Sequence, residues 1–158
     1  LHASLAPSEM CIRDRVTTHD LPPTAAYLEL AHVALRDQLG LYTRPVAEEL
    51  AEEQAWVTAH IDALQQEGWV GDAPTTEQVV LGLHRRLASG ASRMFGVSVA
   101  DLAGDRRAIN QPGTDSEYPN WRLPLSDASG AMVSLEALVE SNFADELARA
   151  SQRREPQQ

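Results

Sequence analysis

The stretch Val16–Tyr27, VTTHDLPPTAAY, decides how the rest of the chain is read. Val16, Thr17 and Thr18 form a short strand-like run, rich in β-branched residues. His19 and Asp20 follow, an imidazole beside a carboxylate. Leu21-Pro22-Pro23-Thr24 then turns the chain into a helix, because proline leaves a strand readily and fits a helix's first turn. The polar pair is therefore expected where a strand ends and a helix has yet to begin. In parallel α/β architectures that end of a strand faces the ligand.

Downstream, the apolar spacing predicts one helix over Thr24–Leu39, with Tyr27, Leu28, Ala31, Ala34 and Leu35 as its stripe and Gly40 as its stop. A second helix is predicted over Pro45–Glu67, its apolar set being Val46, Leu50, Ala55, Trp56, Val57, Ile61 and Leu64, with Gly68 ending it. Thr75 and Gln78 match a capping box, so a third helix starts at Thr76 and ends at Ser89-Gly90. Ser92–Val99, with Met94, Phe95, Val97 and Val99, reads as a buried strand, and Ala100–Gly104 as one helical turn. Ser134 caps a final helical region to about Ala150, broken near Ser141-Asn142. Two strands separated by helical material imply a parallel βαβ layout, mostly helical, with two or three short strands. So few strands cannot close a sheet, which marks the chain as part of a larger α/β protein.

The flanks read differently. Residues 1–15 show no clean period, and the run SEMCIRDR resembles a translated sequencing-adaptor remnant. Native sequence is thus expected to begin near Val16, with 1–15 a non-native or disordered leader and an ordinary frayed terminus as the alternative. Residues 16–150 are read as the folded part and 151–158 as a frayed polar tail.

Composition bounds the function. The 158 residues carry 23 acids against 13 bases, a formal charge of −10, which disfavours nucleic acid as a partner. No apolar run approaches the roughly 20 residues that span a bilayer, and no signal peptide is evident, so no membrane partner is expected. All 13 bases are arginine, which excludes a lysine Schiff base within these residues. The single Cys11 allows no internal disulfide and no multi-cysteine metal site, and a reducing, cytoplasmic setting is expected. No glycine-rich phosphate loop is present, and no cofactor is expected.

Asp105–Trp121, DRRAINQPGTDSEYPNW, is too long for an ordinary connection and carries Arg, Asn, Tyr and Trp, so it is expected to be ordered and functional. VTTHDLPPTAAY, followed about ninety residues later by DRRAINQPGTDSEYPNWRLPL, resembles the carboxyl-terminal part of the 4-α-glucanotransferases, the amylomaltases or disproportionating enzymes of the α-amylase-like clan. The resemblance covers about Val16 to Leu138 and rests chiefly on the second motif, with Asn110, Pro112, Gly113, Thr114, Asn120 and Trp121. It implies a (β/α)8 barrel in which Val16–Asp20 ends strand seven and Ser92–Val99 lies near strand eight. It also implies a retaining transfer of α-1,4-glucan segments to a sugar 4-hydroxyl, acting on α-1,4-glucans and maltooligosaccharides. Retention needs two carboxyl groups about 5 Å apart, in this family an Asp nucleophile and a Glu acid/base from earlier strands, outside these residues. Asp20 matches the family's third carboxylate, a transition-state stabiliser, and His19 the neighbouring substrate-binding histidine. Asn110 is a candidate glucan contact, but its amide is equally suited to holding the loop.

Other readings compete residue by residue. An Asp beside a His at a helix start is often only a cap. Arg106 and Arg107 are expected to pair with surface acids. Tyr118 and Trp121 could stack on a sugar, but Trp121 is expected as a core anchor. His32, His60 and His84 are expected at the surface or its boundary, and Glu48, Glu49, Glu52 and Glu53 on a solvated helix face. The alternative enzyme is an HD-type metal phosphohydrolase, disfavoured because no His precedes His19 except His2. A second alternative is a non-catalytic helical protein-binding module, which leaves the 105–121 loop unexplained.

Overall fold

A computed structural model describes residues 13–152, residue 93 excepted. The expectations for residues 1–12 and for the end of the tail lie outside the described residues. The elements run β1 (Arg13–Arg15), α1 (Thr24–Leu28), α2 (Ala31–Gln38), α3 (Val46–Gln66), α4 (Thr76–Ala88), β2 (Met94–Gly96), α5 (Val99–Ala103), α6 (Leu135–Val139) and α7 (Asn142–Ala150). The strands pair in parallel, Arg13 opposite Met94 and Arg15 opposite Gly96, so α1–α4 form the crossover that a parallel pair requires.

The strand lies earlier than expected. β1 ends at Arg15, inside the 1–15 stretch read as leader, and Val16–Asp20 follow as irregular chain. The reason is local. Thr17 is buried and its hydroxyl donates to the Pro22 carbonyl at 2.8 Å, which folds the segment back on itself instead of extending a ladder. β2 is likewise shorter than Ser92–Val99 and only half-buried, with Met94 exposed.

The helix expected over Thr24–Leu39 is two helices. Leu30 between them stands at φ 59°, a left-handed conformation disfavoured for leucine. Tertiary contacts impose the break: it aims Glu29 at Arg106, with two N–H donors at 2.8 and 2.9 Å, and it turns the next helix so that His32 and Val33 face inward. The other helices follow their sequence signals. α3 spans Val46–Gln66, Thr75 and Gln78 form the full capping box of α4, Ser134 caps α6, and Ser141 breaks the last region and caps α7.

The core gathers Ala25, Val80, Leu81 and Leu147, with Leu28, Leu102 and Phe143 packed on it, so α1, α4, α5 and α7 converge there. Gly82 lets the Trp69-Val70 backbone lie against α4, where a Cβ would stand 2.6 Å from Val70 Cγ1 and 3.3 Å from the Trp69 carbonyl. α3 departs from its expected core set: Val57 and Leu64 are buried, but Val46, Leu50 and Trp56 are exposed, Trp56 meeting only the edge of the Tyr27 ring from α1. No helix among the described residues is long and apolar enough to cross a membrane.

Candidate functional site

The site forms where the two sequence motifs meet. A turn closed by the Leu21 N–H on the Thr18 carbonyl, at 3.2 Å, presents His19 and Asp20 outward. Their side chains are 53% and 54% exposed, open to a ligand, and His19 Nε2 lies 3.3 Å from Asp20 Oδ2. The Asn110 amide donates from Nδ2 to Asp20 Oδ1 at 2.8 Å, across ninety residues of chain. The Trp121 indole lies beside His19, ring centroids 5.3 Å apart and tilted by 44°. Asp20 thus has one oxygen oriented by an amide and the other beside an imidazole, and among the described residues no guanidinium pairs with it.

Behind the turn, a buried carboxylate fixes the start of α1. Pro23 precedes that helix and offers no side-chain cap. Asp101 of α5 supplies one instead, accepting from the Thr24 N–H at 2.7 Å and the Thr24 hydroxyl at 2.8 Å. An anion at a helix N-terminus is favourable for the dipole as well as for the orphan N–H. His84, 1% exposed, donates from Nδ1 to the Val80 carbonyl and holds Nε2 3.9 Å from Asp101 Oδ2. Burial pushes the Asp101 carboxyl up against the Thr24 donors, and burial pushes His84 down.

The 105–121 loop is sewn by its own polar groups. Burial pushes Asp105 up, but the Arg107 guanidinium and the Arg107 and Ser126 N–H groups outweigh it and hold the carboxyl below its usual range. Tyr118 is buried and donates to the Ala108 carbonyl at 2.7 Å, so it is not a sugar contact. Asn120 Oδ1 accepts from the Gln111 N–H at 2.7 Å, and the Trp121 N–H donates to the Ile109 carbonyl at 2.9 Å. These two crossings hold Asn110 and Trp121 next to one another at the His19-Asp20 turn.

Several expectations need correction. Trp121 is 63% exposed and anchors no core. His32 and His84 are buried, not surface histidines. His84 falls four residues after Val80 on the apolar face of α4, a spacing that could have marked it. His32 could not have been found, because the break at Leu30 changes the phase of the helix. Glu53 leaves the solvated face to accept from the Tyr27 hydroxyl and to approach His32 Nε2 at 3.7 Å. Arg106 and Arg107 do pair with acids, Glu29 and Asp105. Among the described residues no three His, Cys, Asp or Glu side chains converge as a metal site, so the phosphohydrolase reading finds no ligand set around His19.

The buried histidines make a pH prediction. Burial lowers both His32 and His84 from the ordinary 6.5. A lowered histidine contributes stability that is present above 6.5 and lost as pH falls toward its folded value, because the unfolded chain takes up the proton first. Asp101, raised from 3.8, works in the opposite sense and loses its contribution as pH rises through its folded value. His32, away from Asp101, is the cleaner probe. The melting temperature should fall between pH 7 and pH 5, and less steeply in His32→Phe, which keeps the stack on Tyr27. A curve equally steep in both proteins would rule out a buried neutral His32.

A parallel strand pair with a helical crossover is an α/β layout, and an open His–Asp pair lies just past one of its strands. The family model described as 4-alpha-glucanotransferase matches residues 8–129, and the chain belongs to this family. A 4-α-glucanotransferase from Mycobacterium tuberculosis is 45% identical over 144 residues, covering 90% of this chain and 20% of the relative. One from Haemophilus influenzae is 28% identical over 132 residues, 78% of this chain and 19% of the relative. The crystal structure of amylomaltase from Corynebacterium glutamicum superposes with a TM-score of 0.85 at 37% identity, over 90% of this chain and 22% of that one. The chain spans about a fifth of the length of these proteins. The match starts at residue 8, upstream of the expected native start near Val16.

Proposed function

We propose that residues 16–150 are the carboxyl-terminal part of a (β/α)8-barrel 4-α-glucanotransferase, cytoplasmic and cofactor-free, acting on α-1,4-glucans and maltooligosaccharides. In this reading Asp20 stabilises the transition state, and His19 and Asn110 contact the sugar. The observation that carries it is the 2.8 Å bond from Asn110 to Asp20, which joins the two motifs of the resemblance in one open polar cluster. The chemistry follows from that cluster. As the glycosidic bond breaks, the reacting ring flattens toward an oxocarbenium ion, and hydrogen bonds from its 2- and 3-hydroxyls to a carboxylate strengthen. Asn110 occupies one oxygen of Asp20 and fixes the rotamer, so the other oxygen is oriented before the substrate arrives. His19 presents a ring nitrogen to a neighbouring hydroxyl.

The nucleophile and the acid/base belong to family segments outside these residues, and the chain supplies one part of the charge complement. The 158-residue chain should therefore release no glucose from maltotriose above the uncatalysed background. Turnover by the purified chain would mean that a nucleophile and an acid/base lie within it, and would overturn this division of roles.

A further inference from the structure

We infer that Trp121 is an aromatic platform of the Asp20 site, taking the apolar face of a pyranose ring next to the sugar that Asp20 and Asn110 hold. The inference rests on the glucan reading of Asp20 and adds a residue to it. Trp121 breaks two rules at once. It is the largest side chain of its loop and is 63% exposed, although the loop buries Ala108, Gln111 and Tyr118 beside it. Its backbone also stands at φ 62°, in the left-handed region that a bulky residue rarely adopts. A non-glycine residue held in that region persists only where its surroundings enforce it, and such residues cluster at ligand sites.

The surroundings are identifiable. The Trp121 N–H is tied to the Ile109 carbonyl at 2.9 Å, the Arg122 N–H to the Pro119 carbonyl at 3.0 Å, and Asn120 bridges Gln111 and Thr114. These bonds pin the backbone on both sides and turn the indole outward. It comes to rest beside His19, with most of the ring open to solvent. An open aromatic face next to a carboxylate, an imidazole and an amide is matched by a ligand with hydroxyls around its edge and C–H bonds on its face. The electron-rich face of the indole attracts those C–H bonds, while the polar trio takes the hydroxyls.

The chain holds three tryptophans, Trp56, Trp69 and Trp121, whose indole N–H signals can be followed separately by NMR while maltohexaose is added to the 158-residue chain. Trp121 should shift together with the Asp20 and Asn110 signals, and Trp56 and Trp69 should stay in place. Trp121→Ala should weaken binding about tenfold, the scale of a lost aromatic contact. Trp121→Phe, which keeps a flat apolar face, should restore most of the affinity and also controls for misfolding. An unmoved Trp121 signal with moving Asp20 and Asn110 signals would overturn the platform and leave the glucan site standing. Unchanged signals throughout, at millimolar sugar, would overturn both.

Discussion

Asp20→Asn, placed in a graft of residues 16–150 into the matching fifth of the Corynebacterium glutamicum amylomaltase, is expected to lower turnover by about 10²–10³-fold, the range found when one preorganised charge-stabilising group is removed. The substitution isolates charge from shape. Asparagine has nearly the volume of aspartate, and its carbonyl oxygen can still accept from Asn110 Nδ2, so the geometry at the turn survives. What disappears is the anion facing a sugar whose positive charge develops only in the transition state. Stability should change by no more than about 0.5 kcal/mol, as for other exposed positions, because the Asp20 side chain is 54% exposed and supports no buried group. A graft that turned over normally with Asn at this position would remove Asp20 from the mechanism.

The largest stability effect is expected at Asp101. Removing its carboxylate in Asp101→Ala leaves the Thr24 N–H and the Thr24 hydroxyl buried without an acceptor, since among the described residues both are bound by Asp101 alone. Each orphaned buried donor costs about 1–3 kcal/mol, so the pair should cost roughly 2–6 kcal/mol. The loss should appear as a lower urea midpoint with an unchanged slope, because the folded surface is not altered. Asp101→Asn keeps one acceptor for Thr24 and should cost less than half as much. A shift below about 1 kcal/mol in Asp101→Ala would mean that water replaces the carboxylate, and that α1 is held by packing on Val80 and Leu147 alone. The effect matters for function because α1 begins directly after Pro22-Pro23, so a shift of its start would pass to His19 and Asp20 just upstream.

What the sequence made legible divides along a physical line. Signals that depend on a few neighbouring residues read correctly: the Thr75–Gln78 capping box, the Ser134 cap, the break at Ser141-Asn142, and Gly68 at the end of α3. The site was legible as two separate motifs, and the structure adds their meeting through Asn110 and Asp20. Features set by distant partners did not read. Leu30 adopts a left-handed backbone that its helical neighbours do not announce, and the reward is the pairing of Glu29 with Arg106, seventy-seven residues further on. Asp101 reads as an ordinary polar residue of a short helical turn until Thr24 is brought to it from the same separation. Trp121 was expected inside because large aromatics usually are. The hydrogen bonds that turn it outward come from Ile109 and Asn120 and leave no periodic trace.

The most direct measurement is glucose release from maltotriose by that same graft with its native residues, residues 16–150 of this chain replacing the matching part of the Corynebacterium glutamicum amylomaltase. The account predicts disproportionation at a rate within about tenfold of the recipient enzyme, since Asp20, His19 and Asn110 would complete its charge arrangement. A graft that folds and melts cooperatively yet neither turns over maltotriose nor binds maltohexaose would contradict it.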